Sequence, residues 1–312
     1  MITIFTCPKA FTGESRLIQR NAIGTWKRVS GVGEIILFGD DLGVPEAGEE
    51  FGLRCVPDIL RSEYGTPLVN DIFEKAQKLA QFDLLCYINA DILLAADLLP
   101  KENPFSRFLM VGRRWDLDVD WEIDFERPAW REELKEEAML GGRLHSSDGI
   151  DYFFFSRGLY EEIPPFALGR TTWDNWLIYN ARLRKIPVID ATADVTVIHQ
   201  NHGYRKGLTT PKGHWKGPEA ERNLLLGGGV EYCFSIRDAD WRVENGRVKK
   251  SPLTGMRIFR EIRAFPVLKK DSLAFGWLAK FLLQVMIYFR RMGRPIVGWI
   301  RERAKGINDN AV

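Results

Sequence analysis

Residues 82–100 read "FDLLCYINADILLAADLLP". An apolar run climbs to Ile88, breaks at Asn89-Ala90-Asp91, and turns apolar again. The first half has the length and composition of a buried strand. The break therefore places an amide and a carboxylate at a strand's carboxyl end. In open α/β sheets, ligands sit in the crevice beyond such ends.

The flanking sequence supports that reading. Upstream, "MITIFTC" (1–7) is a β-branched run closed by Pro8, and "GEIILFGDD" (33–41) is a buried strand ending in Asp40-Asp41. Between them, residues 14–29 carry helical apolar spacing at Leu17, Ile18, Ala22 and Trp26. "GTPLVNDIFEKAQKLA" (65–80) is an amphipathic helix, with Thr66 expected as its N-cap and Pro67 just inside. Strands alternating with helices of this length predict parallel pairing through crossover helices. Downstream, 107–116 predicts a strand, 131–140 an exposed charged helix, and 149–163 a strand running into a helix start. Residues 171–186 predict a helix, and 187–202 contain a strand ending at His199. The Gly- and Lys-rich stretch 203–218 reads as a loop, whose Lys206, Lys212 and Lys216 could close over a diphosphate. Asn245-Gly246 marks a hairpin within 241–250.

At 312 residues, with 45% hydrophobic and 28% charged, the chain is an ordinary globular one. The overall charge of +2 is unevenly spread: Arg257–Lys305 holds twelve Lys/Arg against three acids, leaving the remainder at −7. Cys7, Cys55, Cys86 and Cys233 form no C-x-x-C pair, which predicts free thiols in a reducing cytoplasm rather than a disulfide or zinc framework. The start of the chain lacks the basic region and long apolar run of a signal peptide.

Several carboxylates beyond one sheet edge need water, a cation or a ligand's donors. A hard divalent ion holding a diphosphate meets that need. On "YINADILL", "TTWDNWLIYNARLRKIPVID" and "VTVIHQNHGY", the chain resembles nucleotide-sugar glycosyltransferases of the GT-A fold, particularly those like family 2, over roughly residues 1–250. The resemblance implies a Rossmann-like nucleotide-binding sheet with helices on both faces over 1–255. Its nucleotide half would be 1–100 and its acceptor half 101–255. A D-x-D motif ends this strand in that family; here Asn89 replaces the first acid and Asp91 keeps the last. Asp91 then carries the main metal duty for Mn2+ or Mg2+, and Asn89 neighbours the ribose or a metal water. His199 is implied as a further ligand, and His202 as a weaker one.

The resemblance also implies Asp174 as general base at the start of a helix, although the family's Glu-Asp is Trp-Asp here. The competing role is a helix-end acid interacting with the dipole. Trp173 is a candidate acceptor platform and Asp151 a candidate acceptor contact. Thr6, Cys7, Pro8, Asp40 and Arg61 are candidates for the nucleoside, with Glu63 and Asp148 weaker. The donor would be a nucleotide sugar, a UDP-sugar first, and the acceptor a glycan or lipid-linked saccharide. Nucleotidyl transfer and non-catalytic carbohydrate binding on the same fold stay open, although "TCPKAFTGESR" lacks the G-x-G-T-R-like stretch of nucleotidyltransferases.

Two other acidic stretches compete for the cation. Asp238-Ala239-Asp240 is a literal D-x-D, or else a turn or cap. In "DLDVDWEID" (116–124), five acids would share one face of a strand, most simply a solvated one. Residues 256–312 form a basic, aromatic tail whose densest part, 272–305, is broken by Lys280 and Gln284 and so falls short of a membrane span. Its composition fits an interfacial helix on the inner face of the cytoplasmic membrane, or helices packed on the catalytic domain. No nucleic-acid-binding module accompanies the charge.

Overall fold

The computed structural model describes residues 1–202 and 216–269, with Trp277, Leu278, Phe281, Gln284, Val285 and Tyr288 beyond them. The chain divides into two compact units, Met1–Pro252 and Leu253–Val312.

The first unit begins as a parallel sheet. Strands β1 (Ile2–Thr6), β2 (Val32–Phe38), β3 (Arg54–Val56) and β4 (Leu84–Ile88) pair in parallel in the order β3-β2-β1-β4. Helices α1 (Gly13–Trp26), α2 (Val44–Phe51) and α3 (Val69–Leu79) make the crossovers. All four strands thus point their carboxyl ends to one edge, as the alternation predicts.

β9 (Tyr152–Ser156) then enters antiparallel beside β4, with Tyr152 opposite Ile88. It also pairs antiparallel with β6 (Leu109–Val111), and the sheet continues through β10 (Val188–Asp190) to the hairpin β12 (Trp241–Glu244) and β13 (Arg247–Lys250). Asn245 (φ 54°) and Gly246 (φ 76°) turn that hairpin through two positive-φ positions, the type I′ geometry an Asn-Gly pair favours. A second, four-stranded sheet has the order β5 (Ile92–Leu94), β11 (Val197–Gln200), β7 (Trp115–Leu117), β8 (Arg143–Leu144).

Alternation along the strands builds two different cores. On one face Ile2, Ile4, Ile35, Leu37, Cys86 and Ile88 pack with Ala22, Ile23 and Trp26 of α1 and with the second sheet. On the other, Phe5 and Tyr87 meet Phe73 of α3 at ring distances of 5.1 and 5.3 Å. Trp173, opening α5 (Trp173–Leu183), stands edge-on to Tyr87 at 5.4 Å. Helices therefore cover both faces.

Several local expectations fail for identifiable reasons. Thr66 does not cap α3, which starts at Val69 behind Leu68, because its hydroxyl donates to Glu219 at 2.9 Å. Glu219 belongs to α6 (Pro218–Leu226) and also accepts from Ser62 and Arg170. No helix follows β9: the chain turns at Arg157-Gly158 and runs irregularly to Phe166. Residues 107–116 form not one strand but β6 and β7, one in each sheet, and 187–202 likewise divide into β10 and β11. The charged segment 131–140 is helical as expected, within α4 (Trp130–Gly141). None of the four cysteines forms a disulfide.

The second unit contributes α7 (Gly255–Leu268), capped by the Thr254 hydroxyl accepting from Arg257 N–H. Most of 272–305, and Lys206 and Lys212, lie outside the described residues. Among the described residues, no helix is long and apolar enough to cross a membrane.

Candidate functional site

Asn89-Ala90-Asp91 is where the chain leaves the first sheet at β4 and enters the second at β5. Backbone bonds fix the crossing. Asn89 N–H donates to Asp151 O at 2.9 Å, and Gln200 N–H donates to Asp91 O at 3.2 Å. Because β9 is antiparallel to β4, the residue entering β9, Asp151, lies beside the residue leaving β4. The second sheet does the same for His199, which is paired with Ile92 on one side and Asp116 on the other.

Asp91, His199 and His202 converge here, each offering a ligand atom within 4.8 Å of the others. His202 Nε2 lies 2.9 Å and His199 Nε2 3.6 Å from Asp91 Oδ2. The other oxygen, Asp91 Oδ1, is buried with no hydrogen-bond partner among the described residues, and so is His199 Nδ1. Burial alone would raise the Asp91 carboxyl, but the two imidazoles outweigh it and hold the group well below the usual range. Burial pulls the other way on His199, and the Asp91 charge reverses it, leaving the imidazole raised. An ionised carboxylate with an orphaned oxygen, faced by two imidazoles, is a donor set that fits a divalent cation.

A chain of ion pairs runs on from this cluster. Asp116 Oδ1 lies 3.8 Å from His199 Nδ1 and accepts from Arg114 Nε at 3.0 Å, while its Oδ2 accepts from His145 Nδ1 at 2.7 Å. Arg114 Nη1 donates to both oxygens of Asp151 at 2.7 Å. Asp151 Oδ1 also accepts from Asn89 Nδ2 at 2.9 Å, and Asn89 Oδ1 accepts from Tyr87 OH at 3.0 Å. These partners hold Asp116 below the carboxylate range against its burial. Asp174, in the first turn of α5, lies within electrostatic reach of Asp151 and Arg114. Burial pushes its carboxyl up to about 7, opposed by the N–H of Asn175 and assisted by the Asp151 charge. The residue before α5, Thr172, is buried at φ 88°, a strained conformation for a β-branched side chain.

The structure corrects several assignments. Trp173 is only 4% exposed and packs on Tyr87 and Phe153, so it is a core residue with no face for a sugar. Asn89 is committed on both sides of its amide to Tyr87 and Asp151, not turned toward a ribose or metal water. Asp151 is closed into the pair with Arg114 rather than presented to an acceptor. Thr6 is fully buried and Pro8 is buried, which leaves half-buried Cys7 as the accessible residue after β1. Its thiol is pushed up to about 12 by burial. Arg61 pairs with Asp40 at 3.0 Å and Asp41 at 2.8 Å, so two of the nucleoside candidates, Arg61 and Asp40, are paired with each other at the β2 exit. Glu63 and Asp148 are exposed. Of the acids in 116–124, Asp118, Asp120, Glu122 and Asp124 are exposed as expected, but Asp116 turns into the site. Asp238 is buried in a capping box with Ser235, which accounts for the rival D-x-D.

Sequence reading missed Arg114 and His145. Neither has a local signal, because β7 and β8 bring them to the site through pairing in the second sheet.

No protein-family model and no curated protein matches the sequence. Solved structures are similar to it over most of its length. Glucosyl-3-phosphoglycerate synthase from Mycobacterium tuberculosis in complex with phosphoglyceric acid is 14% identical, over 81% of this chain and 87% of that one, with a TM-score of 0.44. The same enzyme with Mn2+, UDP and glucosyl-3-phosphoglycerate is 12% identical over 82% and 88%, with a TM-score of 0.43. A structure described only as that of a mycobacterial protein is 11% identical over 81% and 84%, with a TM-score of 0.43.

Proposed function

We propose that this chain is a glycosyltransferase of the GT-A kind, moving a sugar from a nucleotide-sugar donor to a hydroxyl acceptor with help from a divalent cation. The observation that carries the reading is the Asp91–His199–His202 cluster beyond β4, with the buried Asp91 Oδ1 left without a partner among the described residues. It lies at the carboxyl edge of a parallel sheet, where nucleotides bind in open α/β folds.

In this reading Asp91, His199 and His202 hold the ion. Two imidazoles with one carboxylate favour Mn2+ over Mg2+, which prefers oxygen ligands and keeps its waters. When bound, the cation supplies positive charge for a departing diphosphate. Arg114 adds a fixed guanidinium to the same crevice, with its own charge balanced by Asp116 and Asp151. Asp174 serves as general base, because a carboxyl raised to about 7 can take the acceptor's proton near neutral pH. A base acting directly on the acceptor favours inversion. Cys7 and the Arg61–Asp40–Asp41 group border the nucleoside end, within electrostatic reach of one another.

The second unit fits a peripheral role at an anionic membrane, with a glycan or lipid-linked acceptor. On α7, Ile258, Ile262 and Phe265 are each about half exposed at 49%, 52% and 51%. They recur at helical spacing, and exposed Lys269 follows on the same face.

The deciding experiment is a thermal-shift panel of UDP-, GDP-, CMP- and dTDP-sugars with and without Mn2+. A Mn2+-dependent shift with one nucleotide class is expected. No nucleotide shift, alongside metal-independent glycan binding, would favour a non-catalytic carbohydrate-binding protein instead.

A further inference from the structure

In the reading above Asp116 only balances the charge of Arg114, yet it sits behind the cluster. β11 and β7 run parallel with His199 in register with Asp116. The His199 ring lies between two carboxylates, with Nε2 at 3.6 Å from Asp91 Oδ2 and Nδ1 at 3.8 Å from Asp116 Oδ1. The imidazole is only 7% exposed, and Nδ1 has no hydrogen-bond partner among the described residues. Asp116 itself is anchored on three sides, by Arg114 Nε at 3.0 Å, His145 Nδ1 at 2.7 Å and Arg143 Nη2 at 3.3 Å. A carboxylate has about four acceptor positions. Three are taken, which leaves capacity on Oδ1, the oxygen facing His199.

We propose that Asp116 is a positioning residue for the cation site, holding the Nδ1–H of His199 so that Nε2 is presented to the ion. The inference rests on the cation-dependent reading and names what orients one ligand within it. A ligating imidazole needs its second nitrogen protonated and held, or the ring turns and the lone pair is misdirected. Aqueous partners are scarce around a ring this buried, so the protein must supply the acceptor. Asp116 is the carboxylate next to that nitrogen. At 3.8 Å the pair is longer than a hydrogen bond, and a small turn of the His199 ring would bring its Nδ1 proton onto Asp116 Oδ1. Arg114 then has a double duty. It anchors Asp116 at one end and Asp151 at the other, linking the cation side of the crevice to the side where Asp174 stands.

The test is a double-mutant cycle on Mn2+ affinity, read from the free-ion EPR signal, in the full chain. Asp116→Asn should weaken Mn2+ roughly 10–100-fold, the usual loss for an outer partner of a ligating histidine. In the His199→Ala background it should add nothing, and in the His202→Ala background it should keep its full effect. A purely structural Asp116 would give additive losses in both backgrounds, and that result overturns the proposal. So does an unchanged affinity in Asp116→Asn. A second measurement does not depend on affinity. With Mg2+ bound, the His199 Nδ1 proton should resonate downfield as a carboxylate-bonded imidazole and move upfield in Asp116→Asn; a resonance that stays put overturns the assignment. If the unsubstituted protein fails to bind Mn2+, the cation reading falls and this inference with it. Binding with additive losses removes this inference alone.

Discussion

His202 Nε2 lies 2.9 Å from Asp91 Oδ2, nearer than His199 Nε2 at 3.6 Å, although His199 is the residue that ends the strand run. His202 therefore contributes to the cluster as directly as His199. Asp91→Asn is expected to abolish metal-dependent nucleotide binding with the fold intact. His202→Ala should weaken Mn2+ by roughly tenfold or more, at least the loss seen for outer partners of a metal site. Calorimetric titration of Mn2+, then of nucleotide in its presence, measures both. Asp238→Asn is the control, because that carboxylate closes a capping box.

Asp174 makes a pH-dependent prediction with a definite sign. Its carboxyl is raised from 3.8 to about 7 in the folded protein, chiefly by burial. The folded state therefore keeps a proton that the unfolded state loses at about pH 4. This group's contribution to stability falls as pH rises through that window and is lowest above about 7. Asp174→Asn should flatten that decline, so the variant gains on the unsubstituted protein at pH 8 and matches it near pH 3. Urea denaturation across the range checks this. Activity runs the opposite way: kcat/KM should rise with pH through about 7 as the base ionises. Asp174→Asn should lower turnover by roughly 10²–10⁴-fold with donor affinity retained.

The parts of this molecule visible in the sequence are those that local pattern determines. The strand runs at Ile4, Ile36 and Leu85 and the Asn245-Gly246 turn announce themselves, because burial on two faces and a positive-φ pair each impose a residue type. Asp91 was legible for a related reason, since a carboxylate closing an apolar run needs a partner. Arg114 and His145 were not, because their place depends on β7 and β8 joining a second sheet across long sequence separations. Trp173 misled for the converse reason. An indole beside a candidate base reads equally well as a platform or as core, and only the stacking of Tyr87 and Phe153 decides. Thr66 shows tertiary structure overriding a local signal, its hydroxyl taken by Glu219.

Arg114 is the electrostatic keystone of the crevice, and its removal should reach both sides. Its side chain is 18% exposed, between Asp116 at 10% and Asp151 at 8%. Arg114→Met leaves the largely buried Asp151 without its cation and Asp116 with only His145 and Arg143. Breaking one partner of a buried pair destabilises by about 3–5 kcal/mol, and guanidinium or urea unfolding at pH 7 should show a loss of that order. Arg114→Lys should recover only part of it, because one ammonium cannot reproduce a guanidinium fork that serves two carboxylates from Nε and Nη1. Full recovery by lysine would reduce the contact to simple charge balance.

The exposed face of α7 carries the last prediction. Ile258, Ile262 and Phe265 recur at helical spacing and stand about half exposed, while Arg263 and Ala264 are buried. An apolar stripe facing outward next to Lys269 suits the boundary of an anionic bilayer, where hydrocarbon enters the acyl region and cations stay among headgroups. Of the twelve Lys/Arg between Arg257 and Lys305, each one that reaches such a surface would add about 1 kcal/mol. Ile262→Asp with Phe265→Asp should therefore reduce co-sedimentation with phosphatidylserine vesicles while leaving Mn2+ affinity unchanged. Salt should weaken attachment of the unsubstituted protein, since screening acts within about 8–10 Å at physiological ionic strength. A chain that ignores these vesicles at low salt, with or without the two substitutions, would show that the stripe is covered by protein rather than lipid. The double variant would then lose thermal stability, a second readout that separates the two coverings.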